Sequence, residues 1–212
     1  MGLNFRVARE SDADQVLSIY APMVRETAIS FELAPPSADE MRARIRNILA
    51  THMWLVCEED QAIAGYAYAS KFRPREAYQW TAEVTVYVHP AQQRRGIGRA
   101  LYTSLFETMR LQGFCSAVAG IALPNDASVK LHEGLGFTSI GVFERVGYKL
   151  ARWHDVGWWQ LAFEEHGPNP PPPRPIAEFI GSAEWQRALS AGVEALKQEA
   201  RTGPAFRVGP DG

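Results

Sequence analysis

Apolar and polar residues alternate along several short stretches of this chain, a pattern that is typical of β-strands. Two of these stretches flank the acidic turn Glu58-Glu59-Asp60-Gln61 and predict a β-hairpin. The last two strands are expected to be separated by a connection that contains arginine and glycine. The predicted strands cover residues 4–9, 54–57, 63–69, 84–88, 117–122, 138–143 and 153–163.

Helices are predicted where apolar residues recur every three or four positions behind a capping residue. Ser11 followed by Asp14, and Ser37 followed by Glu40, resemble capping boxes that open two helices. Pro22 should bend or break the first of these helices, because proline removes a backbone donor. The predicted helices begin at residues 11 and 37 and then cover residues 98–113, 127–135 and 182–201.

The order of these elements predicts an α+β domain, with an early hairpin and a later β-α-β-α-β run in a mixed, partly parallel sheet. Proline-rich residues 168–175 should form a stiff polyproline II segment. We therefore divide the chain into a domain at 1–166, a linker at 167–181 and an amphipathic helix with its tail at 182–212. The helix is expected to pack back on the domain or on a second subunit, and residues 202–212 to be disordered.

Composition excludes several classes of protein. The 212 residues are 46% hydrophobic and 22% charged, and the net charge of −2 argues against broad nucleic-acid binding. No apolar run approaches membrane-spanning length. The five histidines show no metal-ligand spacing, so no metal is expected. Cys57 and Cys115 lie in apolar runs, which favours buried thiols in a cytoplasmic protein.

A glycine-rich turn carries the clearest chemical signal in the chain. It follows the strand that ends at Val88, and it runs through Gly96 and Gly98 into a helix. Free N–H groups at a helix start bind anions, and Arg94, Arg95 and Arg99 add positive charge there. The pattern predicts a cradle for a diphosphate.

Two other interpretations of this turn are weaker. A dinucleotide-binding fingerprint would need a third glycine, and no acidic residue is placed to bind a ribose. A purely structural turn does not explain three arginines around two glycines.

The segment Gln93-Arg94-Arg95-Gly96-Ile97-Gly98 resembles the acetyl-CoA motif Q/R-x-x-G-x-G/A of the GNAT N-acetyltransferases. The resemblance extends over residues 6–163 and is closest to the branch that acetylates phosphinothricin and methionine sulfoximine. It implies a mixed, mostly antiparallel sheet with flanking helices, acetyl-CoA as co-substrate, and a homodimer. The matching runs are Trp80-Thr81-Ala82-Glu83, Thr85-Val86-Tyr87-Val88, Leu123-Pro124-Asn125-Asp126, Leu131-His132-Glu133 and Trp153-His154-Asp155-Val156-Gly157.

The resemblance also implies roles for individual residues. Glu83 occupies the place of the catalytic base, and His132 that of an acid/base or substrate contact. Asn125 resembles the asparagine that contacts CoA. The backbone of residues 86–88 is expected to hold the pantetheine, with the Val88 amide on the thioester carbonyl. The implied cofactor-binding residues are Val86, Tyr87, Val88, Arg94, Arg95, Gly96, Ile97, Gly98, Arg99 and Asn125.

The cationic loop before Glu83 indicates the substrate. Arg73, Arg75 and Tyr78 are close to Glu83 in sequence and suit a small anionic amino acid, because guanidinium groups bind carboxylate and phosphinate oxygens. Phe31 and Glu32 are candidates for the same pocket.

The leading hypothesis is direct acetyl transfer to the α-amine of a glutamate-like amino acid, with loss of toxicity of an inhibitor of this kind. Two alternatives stay open: acetylation of a protein or peptide N-terminus, and a non-catalytic acyl-CoA-binding module.

Overall fold

The computed structural model describes residues 2–163 and 167–202, without the side chains of the last four. The predicted boundary at residue 166 and residues 203–212 of the predicted tail lie outside this range. The strands are β1 (Asn4–Val7), β2 (Trp54–Glu59), β3 (Ala62–Lys71), β4 (Thr81–Val88), β5 (Ser116–Leu123), β6 (Thr138–Lys149) and β7 (Arg152–Ala162). The α-helices are α1 (Ala13–Glu26), α2 (Ala38–Leu49), α3 (Ile97–Gln112), α4 (Asp126–Glu133) and α5 (Ala183–Thr202).

The strands form one seven-stranded sheet in the order β1-β2-β3-β4-β5-β7-β6. Every neighbouring pair is antiparallel except β4 and β5, so the predicted mixed, mostly antiparallel sheet with flanking helices is confirmed. The parallel pairing is short: Thr81–Glu83 faces Ser116–Val118 and stops there. This early end leaves an opening in the middle of the sheet.

Two apolar layers cover the faces of the sheet. Leu101, Leu105 and Met109 of α3 are fully buried in the larger layer. Ile19 of α1 and Ile45 of α2 are fully buried in the other layer. The amphipathic pattern of the sequence predicts each of these burials, because one stripe of every helix is apolar.

The start of the first helix differs from the prediction. Ser11 lies in a short 3₁₀ turn, Glu10–Asp12, and α1 begins after it. The Asp12 carboxylate accepts the Arg9 backbone N–H at 2.7 Å and is held by Arg6, so Asp12 and not Ser11 organises this end. The capping box of Ser37 and Glu40 is confirmed, since Glu40 N–H donates to Ser37 Oγ at 3.2 Å and Ser37 N–H to Glu40 Oε2 at 2.7 Å.

Pro22 does not break α1, which continues to Glu26. Tertiary packing outweighs the lost backbone hydrogen bond, because Ile19 and Val24 on either side of the proline are fully buried. Two predicted lengths were also too long: β1 ends at Val7 rather than at residue 9, and α4 ends at Glu133 rather than at residue 135.

The predicted connection between the last two strands is too long, because most of its residues belong to the strands. β6 and β7 form one long hairpin whose turn is Leu150-Ala151, with φ of 51° and 59°. Both positive φ values fit a tight two-residue hairpin turn. The polar residues that suggested a loop lie at a register shift between Phe143 and Gly147, where a bulge interrupts the alternation.

The C-terminal helix packs against α3. Ser104 Oγ donates to the Leu189 carbonyl at 2.7 Å and accepts the Gly192 N–H at 3.0 Å. The two helices touch closely at Gly192, where any Cβ would overlap the Ala100 carbonyl oxygen. The proline-rich segment before α5 also contacts the domain, because Trp80 Nε1 donates to the Pro171 carbonyl at 2.8 Å. Helix α5 therefore packs back on the domain, while the division of the chain into three units stays a prediction.

Candidate active site

A cavity of about 190 Å³ occupies the opening between β4 and β5. It begins at Glu83, the last residue of β4 that pairs with β5. Beyond this residue β4 is paired only with β3, so its other edge faces the cavity. Such an edge can bind an extended ligand as an additional strand.

A larger groove of about 600 Å³ continues from this cavity to the start of α3. Because the two spaces share walls, a ligand in the groove reaches Glu83. The shared lining residues are Ile29, Val86, Tyr87, Asn125 and Ser128.

The start of α3 has the geometry of an anion cradle. Gly96 caps the helix with φ of 76°, and Arg94 also has a positive φ of 59°. The first turn of the helix has N–H groups without partners inside the helix, and the residues of this turn line the groove. The predicted residues Arg94, Gly96, Ile97, Gly98 and Arg99 all line it, as do Val86, Tyr87, Val88 and Asn125.

Arg95 is the exception among the predicted cofactor residues. Its guanidinium binds both oxygens of Glu59 at 2.7 and 2.8 Å, and the side chain does not line the groove. Arg99 lines the groove and also donates to the Gly134 carbonyl at 3.0 Å, which ties α3 to α4. The positive charge beside the groove therefore comes from Arg94 and Arg99.

Glu83 is the half-buried carboxylate of the smaller cavity. Burial raises the pKa of Glu83, and the positive charge of Arg73 opposes this rise. Within the described part of the chain, no side chain donates a hydrogen bond to its carboxylate. A carboxylate of raised pKa without a fixed partner can accept a proton from a ligand.

His132 faces the same cavity from α4 and is buried. Its Nδ1 lies 2.7 Å from the Ser128 carbonyl, which can only accept, so Nδ1 carries the proton. Nε2 then accepts from the Tyr102 hydroxyl at 3.1 Å. Burial lowers the pKa of His132, although the Ser128 carbonyl opposes this shift, so the neutral ring is favoured.

Tyr102 is the site residue that the sequence did not reveal. It lies on α3, lines the cavity and is 1% exposed, and burial raises the pKa of its hydroxyl well above the ordinary range. In the sequence it merges with the apolar stripe of Leu101 and Leu105. The one available signal was a phenol within that stripe, since a buried phenol needs a hydrogen-bond partner.

Asn125 caps α4 and also lines the site. Its Oδ1 accepts the Ser128 N–H at 3.2 Å as the cap of α4, and its side chain lines both cavities.

The predicted substrate residues do not line the Glu83 cavity. Arg73 lies over the Phe72 ring, 4.7 Å from its centroid, and lines a neighbouring cavity. Arg75 and Tyr78 are exposed. Tyr78 is the last residue of a short 3₁₀ turn, Glu76–Tyr78, and Arg75 precedes this turn. Arg73 is exposed as well, but its charge is close enough to lower the Glu83 pKa.

The loop between α1 and α2 forms another wall, but Ile29 rather than Phe31 or Glu32 lines the two cavities. Glu32 is held by Arg44 at 2.6 and 3.1 Å. Phe31 fits against Gly147, where any Cβ would overlap its ring. These contacts hold the loop that carries Ile29.

Within residues 2–163 and 167–202, no group of three or more His, Cys, Asp or Glu side chains could hold a metal ion. No helix in the described part of the chain is long and apolar enough to cross a membrane.

Residues 5–158 match the acetyltransferase (GNAT) domain family, which is well over half of the 212 residues. The chain belongs to the GNAT acetyltransferases. It is an acetyl-CoA-dependent N-acetyltransferase, and the residues at the start of α3 fit the diphosphate of this co-substrate.

Named relatives agree with this assignment. The chain is 42% identical over 174 residues to phosphinothricin N-acetyltransferase from Streptomyces viridochromogenes, which covers 82% of this chain and 93% of the relative. It is 36% identical over 166 residues to an L-methionine sulfoximine/L-methionine sulfone acetyltransferase from Salmonella typhimurium, covering 77% and 96%. A solved GNAT phosphinothricin acetyltransferase from Sinorhizobium meliloti in complex with acetyl-CoA aligns with a TM-score of 0.77 at 32% identity, covering 81% and 94%.

Replacing Gly98 with Ala should weaken acetyl-CoA binding without unfolding the protein. A Cβ at this position would lie 3.5 Å from Leu131 and 3.6 Å from Val88, which are ordinary contacts, but it would project into the groove. We expect KM for acetyl-CoA to rise about tenfold, equivalent to about 1.4 kcal/mol. Initial rates with varied acetyl-CoA test this. An unchanged KM for acetyl-CoA, or an equal rise in KM for the amine, would contradict the placement of the cradle.

Proposed function

We propose that this enzyme acetylates the α-amine of a small anionic amino acid of the phosphinothricin or methionine sulfoximine type. One observation carries the proposal: the cavity that holds Glu83, with its raised pKa, opens directly into the groove that ends at the α3 cradle. The relatives named for these two substrates support the choice of amine.

Glu83 is proposed as the base. An α-amine is mostly protonated near pH 7, and only the neutral amine can attack the thioester carbonyl. Glu83 takes the proton, directly or through one water, and passes it to solvent. General-base catalysis of this kind contributes roughly 10²–10⁴-fold.

Tyr102 and His132 are proposed to assist departure of the CoA sulfur. The buried Tyr102 hydroxyl has too high a pKa to give its proton fully to a thiolate, but it can stabilise the thiolate with a hydrogen bond. The single hydroxyl proton is bonded to His132 Nε2 before the reaction, and it turns to the sulfur when the thiolate forms. The sulfur then takes its proton from solvent, and the second proton of the amine nitrogen leaves to solvent in exchange.

Binding of acetyl-CoA is proposed to use the first N–H groups of α3 for the diphosphate, with Arg94 and Arg99 beside it. The free edge of β4 at Val86–Val88 holds the pantetheine as an added strand, with the Val88 amide near the thioester carbonyl. Asn125 contacts the same ligand from the cap of α4. Arg95 is proposed only as a support of the turn, through Glu59.

Arg73 is proposed to bind the anionic group of the amine substrate, because its charge acts on Glu83. Arg75 and Tyr78 remain candidates for the approach of an anionic substrate over the surface. Acetylation converts a charged amine into an uncharged amide, which is the chemical basis for detoxifying an inhibitor of this type.

The test is a thiol-release assay with acetyl-CoA and a panel of phosphinothricin, methionine sulfoximine, ordinary amino acids and peptides. Release with the first two, and little with peptides, is the expected result. Preference for peptides would favour an N-terminal acetyltransferase. Absence of release with every amine would favour the acyl-CoA-binding module.

We propose a cytoplasmic location, because the chain has two cysteines, too few for the disulfide framework of small secreted proteins.

A homodimer is the proposed assembly, formed through the tip of the β6–β7 hairpin. Four large apolar side chains are each more than half exposed there, and Tyr148 contacts Trp153 edge to face at 5.3 Å. β6 is also an edge strand, which a second copy can cover symmetrically. The patch consists of Val146, Tyr148, Leu150 and Trp153.

The variant Tyr148→Glu should shift the protein from dimer to monomer in analytical ultracentrifugation, since a charge would be buried in the interface. Ile180→Lys, which changes a similarly exposed apolar residue outside the hairpin, is the matched control and should stay dimeric. A monomeric wild type would contradict the assembly.

A further inference from the structure

Lys149, the last residue of β6, is a buried lysine that the proposed reaction does not use. It is 6% exposed, although Tyr148 and Leu150 on either side of it are more than half exposed. Burial lowers the pKa of its ammonium group, and the charge of Glu32 opposes this shift. Lysine is rarely buried in proteins, because removing a charge from water is unfavourable, so the contacts of Lys149 call for an explanation.

The ammonium group of Lys149 binds the loop between α1 and α2. Nζ donates to the Ser30 carbonyl at 2.5 Å, across 119 positions of the sequence. The acceptor is a backbone carbonyl and not a carboxylate, so this contact fixes the path of the main chain. A hydrogen bond from a charged donor is stronger than one between neutral groups, which suits it to holding a loop.

The β6–β7 hairpin holds the same loop at a second point. The Phe31 ring lies against Gly147, where any Cβ would overlap it, and 6.1 Å from the ring of His154. His154 Nε2 lies 3.0 Å from the Lys149 carbonyl. Two successive residues of the loop, Ser30 and Phe31, are therefore in contact with the hairpin.

The neighbouring residue of the loop, Ile29, is a wall of the site. It lines both the Glu83 cavity and the groove that leads to the α3 cradle. On its other side Ser30 is fixed to α1, because its Oγ lies 2.7 Å from the Tyr20 hydroxyl. A shift of the Ser30 carbonyl would move Ile29, one peptide away, at the place where the two spaces meet.

We propose that Lys149 is a positioning residue for acetyl transfer, which sets the Ile29 wall by holding the Ser30 carbonyl. This rests on the proposed function, which brings the amine and the thioester together beside Ile29. Lys149 lines neither the Glu83 cavity nor the groove, so it acts through the loop and not by contact with a ligand.

The first test is the variant Lys149→Met, which keeps an apolar stem and removes the ammonium group. Because small displacements of reacting groups slow a reaction strongly, we expect kcat with phosphinothricin to fall about tenfold. KM for acetyl-CoA should change little, since the cradle on α3 is intact. Lys197→Met, which removes an exposed ammonium group on α5, is the matched control and should behave as the wild type. An unchanged kcat in Lys149→Met, or an equal fall in the control, overturns the proposal.

A double variant tests whether Lys149 acts through Ile29. Ile29→Ala removes the wall itself and should also lower kcat. Combining it with Lys149→Met should then give no further loss, because changes that act through one shared group are not additive. Losses that multiply in the double variant would mean that Lys149 does not act through this wall.

Hydrogen–deuterium exchange tests the position of the loop without any substrate. In Lys149→Met the amides of residues 28–33 should exchange faster than in the wild type, because the loop has lost a contact. The amides of α3 should exchange as in the wild type, which shows that the fold is retained. Equal exchange of the loop in both proteins overturns the proposal. A wild type that acetylates no amine overturns the proposed function instead, and the exchange result is independent of that outcome.

Discussion

Replacing Glu83 with Gln is expected to lower kcat/KM for the amine by roughly 10²–10⁴-fold. The amide keeps the size of the side chain and cannot take a proton. Because Glu83 lies at the end of the β4–β5 pairing with its backbone in the sheet, the variant should fold normally. KM for acetyl-CoA should change little, since the cradle at α3 is separate from the carboxylate.

The pH dependence provides a more specific test of the same residue. Burial raises the pKa of Glu83, and the active form of a base is the ionised one. Activity of the wild type should therefore fall as pH decreases through this raised pKa, at a higher pH than an exposed glutamate would give. The Glu83→Gln variant should lose this part of the profile.

Glu107→Gln is the control, because it removes a carboxylate on α3 that pairs with Arg110 on the surface and does not line the active-site cavities. Its rate and pH profile should match the wild type. A Glu83→Gln enzyme of unchanged rate over a range of pH would show that Glu83 is not the base.

The second large effect is expected for Tyr102→Phe, with a decrease in kcat of about 10–100-fold. A hydrogen bond to a charged group contributes about 1.5–3 kcal/mol, and about 1.4 kcal/mol corresponds to a factor of ten. The ring still packs against Phe106, 5.0 Å away, so the fold should be retained. The acidic part of the pH profile should persist, because Glu83 is unchanged.

A double variant tests whether His132 acts through Tyr102. His132→Asn alone should reduce kcat, because the Tyr102 hydroxyl loses its partner at Nε2. The pair Tyr102→Phe and His132→Asn should be no slower than Tyr102→Phe alone, since residues in one network are not additive. Multiplicative losses would mean that His132 contacts the reacting groups independently.

The backbone at the start of α3 was largely predictable from the sequence. Glycines and arginines at fixed spacing after a β-branched strand require a particular backbone, and the left-handed Gly96 at the start of α3 fits this prediction. The position of Arg95 was not predictable in this way, because sequence spacing places it in the cradle but a distant residue, Glu59, binds it.

The amine end was less predictable, because it depends on contacts between distant segments. Tyr102 is a site residue only because α3 and α4 bring it to His132, thirty positions away. Arg73 enters a cavity that is built mainly from β5, β6 and β7. The long β6–β7 hairpin was also missed, because a bulge and polar residues hide its alternation.

The most direct test of the account uses acetyl-CoA labelled with carbon-13 in the acetyl group, with phosphinothricin as the amine. NMR and mass spectrometry of the product should show the label in an amide on the α-nitrogen, with one thiol released for each amide formed and none of the label left on the protein. Thiol release that leaves the amino acid without label, or label at another position of the product, would contradict acetyl transfer to the α-amine.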